Sequence, residues 1–256
     1  MTDEDRGRAI RSKLVRMAPG PKGAQTIPTG SQTLDSALGI GGLPRGGIVE
    51  LFGPAGSGKT SLALAIVARW QQAGGLAVWI DAERSFDAAY AERLGVAIEQ
   101  LPVAQPQSAE QAFAMMQHLA STAAVELLVV DSAAALVPEL ELGTALGESG
   151  PGLQSRVLAS GLRKLAPAMR RAGTTAVFLN QTRSRFLRGD VAGQEELSAG
   201  GPSLKLYAAL RIALEPAGAG RARFHILKNK AGEPFREGEL GWNPSPPSGE
   251  SPPESL

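Results

Sequence analysis

The chain has no cysteine. That excludes structural disulfides, thiolate metal sites and cysteine nucleophiles, and nothing in the sequence points to an oxidising compartment. It has only two histidines, His118 and His225, which stand alone and are assigned no role. It has almost no net charge, +1, so any nucleic-acid contact must come from local basic patches rather than bulk potential. Apolar runs of the ~20 residues that a membrane-crossing helix requires are missing. The amino-terminal stretch MTDEDRGRAIRSKLVRM is charged throughout, unlike a secretory signal. The expected location is cytoplasmic.

What remains fits a folded chain, with 43% hydrophobic and 20% charged residues. At 256 residues the chain accommodates one sizeable domain and not two full ones. Residues 1–26 carry Arg6, Arg8, Arg11, Lys13 and Arg16 among Ile10, Leu14, Val15 and Met17, a pattern compatible with a short amphipathic helix or a solvated arm. Residues 241–256 include five prolines among Ser, Gly and Glu; this composition buries no core and reads as a disordered tail. The core is therefore expected over 27–240.

Within it, short apolar runs alternate with helical stretches. Ile48–Phe52, Leu76–Ile80, Leu127–Val130 and Thr175–Leu179 are near-continuous runs of the kind found in parallel strands covered on both faces. Ser61–Ala73, Ala109–Ser121 and Ser155–Arg171 read as helices; in the last, Leu158, Leu162, Leu165 and Met169 mark one buried face. Leu206–Leu214 and Ala222–Lys228 read as further strands. The expected class is α/β, a mostly parallel central sheet flanked by helices.

Between the first strand and the first helix lies Gly53-Pro54-Ala55-Gly56-Ser57-Gly58-Lys59-Thr60, a full G-x-x-x-x-G-K-T phosphate loop in its required context. Its glycines let backbone N–H groups wrap a polyphosphate at a helix N-terminus. Lys59 is expected on the β- and γ-phosphates, and Thr60 on Mg²⁺. Asp131, ending Leu127–Val130, is the expected second magnesium anchor. Hydrolysis also needs a group to orient water. Asp81 and Glu83 both follow a strand; Glu83 is preferred, although spacing alone does not separate them.

Longer segments carry a resemblance. IPTGSQTLDSALGIGGLPRGGIVELFGPAGSGKTSLALAI, WIDAERSFDAAYAERLGV, LLVVDSAAALVP, GLQSRVLASGLRKLA, FLNQTR, SAGGPSLKLYA and ILKNKAGEPF resemble, in order and spacing, the ATPase core of the RecA recombinase family. The resemblance implies a P-loop NTPase of RecA type using ATP and Mg²⁺. It implies that Glu83 is the catalytic glutamate and that Asp87 and Tyr90 contact adenine. Gln181 would sense the γ-phosphate, and Lys228 and Lys230 would reach the ATP of a neighbouring protomer in a homo-oligomer or filament. Unaided, Tyr90 reads as a packed helix residue and the two lysines as solvated ones.

Two loops of that family hold single-stranded DNA. They correspond to about 141–152, followed by Arg156 and Arg163, and to about 183–201, with Arg183, Arg185, Phe186 and Arg188 and a closing pair Gly200 and Gly201. Arginines neutralise phosphates and an aromatic ring stacks on bases. The sequence departs from the family pattern before Thr26, at Pro151 and Pro202, and in having a proline-rich tail in place of the C-terminal domain. The leading expectation is a DNA-dependent ATPase of recombination and repair. The alternatives are an accessory adaptor acting through protein partners, as in translesion synthesis, and an ATP-switched regulator without DNA binding.

Overall fold

The computed structural model describes residues 25–145, 152–181, 201–218 and 220–241. The expected arm and tail lie outside these apart from 25, 26 and 241. After a two-residue strand β1, Thr26–Ile27, the helix α1, Gln32–Leu38, begins at Ser31, whose side chain accepts from the Leu34 N–H. It ends at Gly39 with φ +77, the left-handed conformation that stops a helix and suits glycine. β2, Leu43–Pro44, pairs antiparallel with β1.

The main sheet is built from β3 (Ile48–Gly53), β4 (Ala77–Asp81), β5 (Val103–Ala104), β6 (Leu127–Asp131), β7 (Thr175–Gln181), β8 (Leu210–Pro216), β9 (Arg221–Asn229) and β10 (Glu237–Gly241). Their spatial order is β10-β9-β8-β3-β7-β6-β4-β5. From β8 to β5 every pairing is parallel, and β9 and β10 add an antiparallel edge.

The apolar runs are continuous because consecutive side chains enter different cores. Val49, Leu51, Val129 and Val177 pack with the helix α2, Lys59–Gln72. Ile48, Val130, Ala176 and Phe178 pack with α4, Ala109–Ser121, and α6, Leu153–Ala172. Among the described residues three shorter α-helices follow: α3 (Ala88–Arg93), α5 (Glu139–Leu142) and α7 (Ser203–Tyr207).

The expected strand over Leu206–Leu214 is corrected. Ser203–Tyr207 is helical, and the strand starts at Leu210. Leu204 and Ala208 are buried one helical turn apart while Leu206 is exposed, so the apolar letters follow a helical period up to Ala208 and a strand period after it.

α4 and α6 approach closely where α6 carries Gly161. A Cβ there would lie 2.4–2.6 Å from atoms of the buried Phe113 ring. Gly161→Ala should therefore lower stability by about 1–2 kcal/mol in chemical denaturation, although helix propensity alone favours alanine by ~1 kcal/mol. A stabilised variant would contradict this packing.

Candidate nucleotide site

β3 is followed by a crossover that passes β7 and β6 to reach β4. Gly53, Asp81, Asp131 and Gln181 therefore gather at the carboxyl edge of neighbouring strands, with Gly53 opposite Gln181 and Asp81 opposite Asp131. Crevices of this kind, at the carboxyl ends of parallel strands, are where α/β sheets bind ligands.

The phosphate loop leaves β3 at Gly53, where a Cβ would sit 2.1 Å from the Leu214 carbonyl oxygen; only glycine lets the chain pass. Gly56 and Gly58 turn with φ +72 and +86. The helices α1, α3 and α4 are capped by the side chains of Ser31, Asp87 and Ser108. In contrast, α2 begins at Gly58 with no side-chain cap and no acidic residue in its first turn. Its leading N–H groups and positive dipole end are thus left for an anion.

The Lys59 ammonium sits over this turn, donating to the carbonyls of Gly53 (3.1 Å) and Pro54 (2.7 Å) and to Ser57 Oγ (3.4 Å). Burial lowers its pKa from the ordinary lysine value, against the pull of Asp131 and Glu83. Pro54, Ala55 and Ser57 complete the loop, with Ser57 buried and Ala55 exposed.

Thr60 Oγ1 donates to Asp131 Oδ2 at 3.2 Å. Burial, then the nearby Glu83 carboxylate, pushes the Asp131 carboxyl up to about 6. Paired hydroxyl and carboxylate oxygens are hard donors suited to Mg²⁺. No group of three or more His, Cys, Asp or Glu able to hold a metal occurs among the described residues. Thr60 and Asp131 could supply two oxygens to a magnesium ion, the rest of whose shell would come from phosphates and waters.

The two acids that the sequence left open now differ in environment. Asp81 is buried and fully engaged: it accepts from Ser85 N–H (3.0 Å), Phe86 N–H (3.3 Å) and the Gln105 amide (2.9 Å). It shapes the turn after β4. Glu83 is exposed beside the loop. Its backbone N–H donates to the Asp131 carbonyl (3.1 Å), and its Oε1 accepts from the Ser132 hydroxyl. Ser132 was not singled out by sequence; its value comes from strand register, which brings β6 beside β4.

Asp87 caps α3 by accepting from Tyr90 N–H (2.9 Å). The Tyr90 hydroxyl lies 2.7 Å from Ser61 Oγ, directly after Thr60, which fixes the ring beside the phosphate-loop helix. The open cleft at this helix, about 230 Å³, is lined by Gly56, Gly58, Lys59, Thr60 and Ser61, and from the other side by Gly218, Gly220 and Arg221. Arg221 is a cation that sequence reasoning missed.

Lys228 and Lys230 are not brought to this cleft. Lys228 stands opposite Arg211, which is opposite Glu50; this register lies three residues, ~10 Å, from the Gly53 end of β3. Its ammonium donates to the carbonyls of Lys205 (2.8 Å) and Leu206 (3.1 Å) at the end of α7. Burial, then Lys230 and Arg211, lowers its pKa.

Arg156 and Arg163 are exposed on α6, seven residues apart and so on one helical face. A Cβ on Gly201 would lie 2.2 Å from Ser155 Oγ, so the end of the second expected DNA loop meets the start of the helix that follows the first. Arg183, Arg185, Phe186, Arg188 and Gly200 lie outside the described residues.

A phosphate loop on an uncapped helix, a threonine–aspartate pair and a poised glutamate on a largely parallel sheet define a P-loop ATPase core. Residues 11–242 match the family described as RecA N-terminal domain. Proteins named "Protein RecA" are 43% identical over 241 residues in Thermus thermophilus (90% of this chain, 70% of that one). The figures are 45% over 239 residues in Rubrobacter xylanophilus (89% and 68%) and 43% over 240 in Bifidobacterium breve (90% and 61%). The chain belongs to the RecA family, as a RecA-type ATPase of recombination and repair.

The raised Asp131 carboxyl has a stability consequence. A group whose folded-state value exceeds its unfolded one costs nothing below the unfolded value and its full amount above the folded value. The cost therefore grows between pH 3.8 and about 6 and persists above. Asp131→Asn, which keeps an acceptor for Thr60, should stabilise the chain in EDTA at pH 8 by on the order of 1–2 kcal/mol and gain little at pH 4. Equal melting shifts at both pH values would contradict this assignment.

Proposed function

We propose that this chain is a single-stranded-DNA-binding ATPase whose Mg²⁺·ATP site is its own phosphate loop, completed by lysines of a neighbouring copy. The observation that carries the ATP reading is the convergence of Lys59, Thr60, Asp131 and Glu83 at one strand edge, with the Thr60–Asp131 contact at its centre.

The first-turn amides of α2, Gly53–Thr60 and Lys59 bind the phosphates, and the carbonyl contacts of Lys59 are exchanged for phosphate oxygens. Thr60 and Asp131 would hold a magnesium ion, which would supply positive charge against the polyphosphate. Glu83 accepts a proton from water as the water oxygen bonds to the γ-phosphorus, and the bond to the β-phosphate oxygen breaks. Lys59 stabilises the charge gathering on that leaving oxygen. Gln181, opposite Gly53, senses the γ-phosphate. Asp87 and Tyr90 border the adenine, and Arg221 adds a cation on the opposite wall of the cleft.

The distance of Lys228 and Lys230 from their own phosphate loop supports their service to another copy's nucleotide, in a homo-oligomer or filament. DNA is assigned to Arg156, Arg163 and Gly201 together with Arg183, Arg185, Phe186, Arg188 and Gly200. The meeting of Gly201 with Ser155 supports one shared strand path. No helix among the described residues is long and apolar enough to cross a membrane; the proposed location is the cytoplasm, and the domain limits proposed are 1–26, 27–240 and 241–256.

The test is steady-state ATP hydrolysis with and without single-stranded DNA. Turnover should rise with DNA and fall about 100-fold or more in Lys59→Ala. Joint replacement of Arg156 and Arg163 by alanine should weaken DNA binding and flatten its salt dependence by ~1–2 in log–log slope. Hydrolysis indifferent to DNA would leave the ATPase core standing and overturn the DNA assignment in favour of protein partners.

A further inference from the structure

A second polar array lies inside the sheet, away from the phosphates. Glu50 on β3 is fully buried, and its Oε2 accepts from Arg211 Nε on β8 at 2.6 Å, with the arginine side chain only 5% exposed. The arginine carbon Cζ lies 4.5 Å from the centre of the Phe52 ring, one residue before the phosphate loop. The other oxygen of Glu50, Oε1, accepts from the Asn180 amide Nδ2 at 2.9 Å, and Asn180 is also fully buried. Asn180 Oδ1 in turn accepts from the backbone N–H of Gln181 at 3.0 Å.

Burying an ion pair seldom adds stability over an apolar pair of equal volume. The charge pair alone also has no need of a third member that reaches the next residue's backbone. The orientation of the Asn180 amide is fixed by chemistry: a carboxylate only accepts and a backbone N–H only donates. Asn180 thus has one hand on Glu50 and the other on the amide of the last residue of β7. In register, Lys228 stands opposite Arg211, Arg211 opposite Glu50 and Glu50 opposite Phe178; the Glu50–Asn180 bond therefore steps two residues along β7, toward the end that carries Gln181.

We propose that Asn180 is a positioning residue: it fixes the backbone of Gln181 to the buried Glu50–Arg211 pair, so that the glutamine's approach to the γ-phosphate is set from β8. The inference rests on the reading of Gln181 as the γ-phosphate sensor. Asn180 is fully buried and is not among the residues assigned above to nucleotide or DNA. Its loss should leave ATP affinity in place and uncouple turnover from DNA.

The experiment is a double-mutant cycle in the full chain, reading ATP Kd with a fluorescent analogue and kcat with and without single-stranded DNA. Asn180→Leu should change Kd by less than about twofold and lower DNA-stimulated kcat about tenfold. Combined with Gln181→Ala it should be no slower than Gln181→Ala alone, because both changes act through one group. Independent, multiplying losses would overturn the relay. A Gln181→Ala variant with wild-type stimulation would overturn the sensor reading and the relay with it, whereas absence of stimulation in the unaltered chain would overturn the DNA assignment and move the cycle to basal kcat.

Should Asn180→Leu not fold, the exchange Glu50→Gln with Asn180→Asp keeps net charge, an acceptor for Arg211 and an acceptor for Gln181 N–H. That pair should recover stimulation to within about threefold, while Asn180→Asp alone, setting a second carboxylate against Glu50, should not. Equal behaviour of the pair and the single variant would overturn the proposal.

Discussion

Asp131 is held among negative neighbours at the end of a buried strand, and much of the structure follows from how that charge is managed. Its carboxyl is desolvated, faces Glu83 and Asp81, and is pushed up to about 6; Thr60 and Lys59 relieve it only in part. A site built this way favours a divalent cation, and the helix beside it favours an anion, since α2 starts without a cap. A metal–polyphosphate pair satisfies both at once. The ATPase chemistry is the answer to an electrostatic imbalance that the fold itself creates.

The fold creates it through strand order. Because the chain leaves β3 and crosses two strands to reach β4, the ends of β3, β4, β6 and β7 lie side by side, β3 leading into the phosphate loop and the other three each contributing one polar residue where the apolar run stops. Asp81 then secures the turn that carries Glu83, and Ser132 holds Glu83 from the neighbouring strand. Away from the edge, the row Arg211–Glu50–Asn180 takes charge into the sheet interior, joining the antiparallel side to the catalytic one.

Much of this was legible in the letters. The four core runs, the phosphate loop and Asp131 are local signals: continuous apolar letters for two-sided strands, glycines where backbone must wrap an anion, an acid where a strand ends. The resemblance supplied the remaining roles as expectations. What was not legible depends on pairing between distant segments. Asp81 and Glu83 are two letters apart and differ only in which groups face them. Ser132 and Asn180 acquire meaning from register. Arg221 matters because it lines the cleft at α2 from β9, and the expected strand over Leu206–Leu214 ran into the end of the helix Ser203–Tyr207 because the apolar stretch Leu206–Leu210 fits both periods.

The central claim is that Glu83 activates water while Lys59, Thr60 and Asp131 bind Mg²⁺·ATP. Single-turnover hydrolysis and Mg²⁺·ATP affinity measured on Glu83→Gln test it most directly, since the amide keeps an acceptor for Ser132 but cannot take the proton. The account predicts affinity within about twofold of the unaltered chain and hydrolysis slowed about 100-fold or more. Hydrolysis at the unaltered rate, with affinity intact, would contradict it and return the search for the base to the other groups at this strand edge.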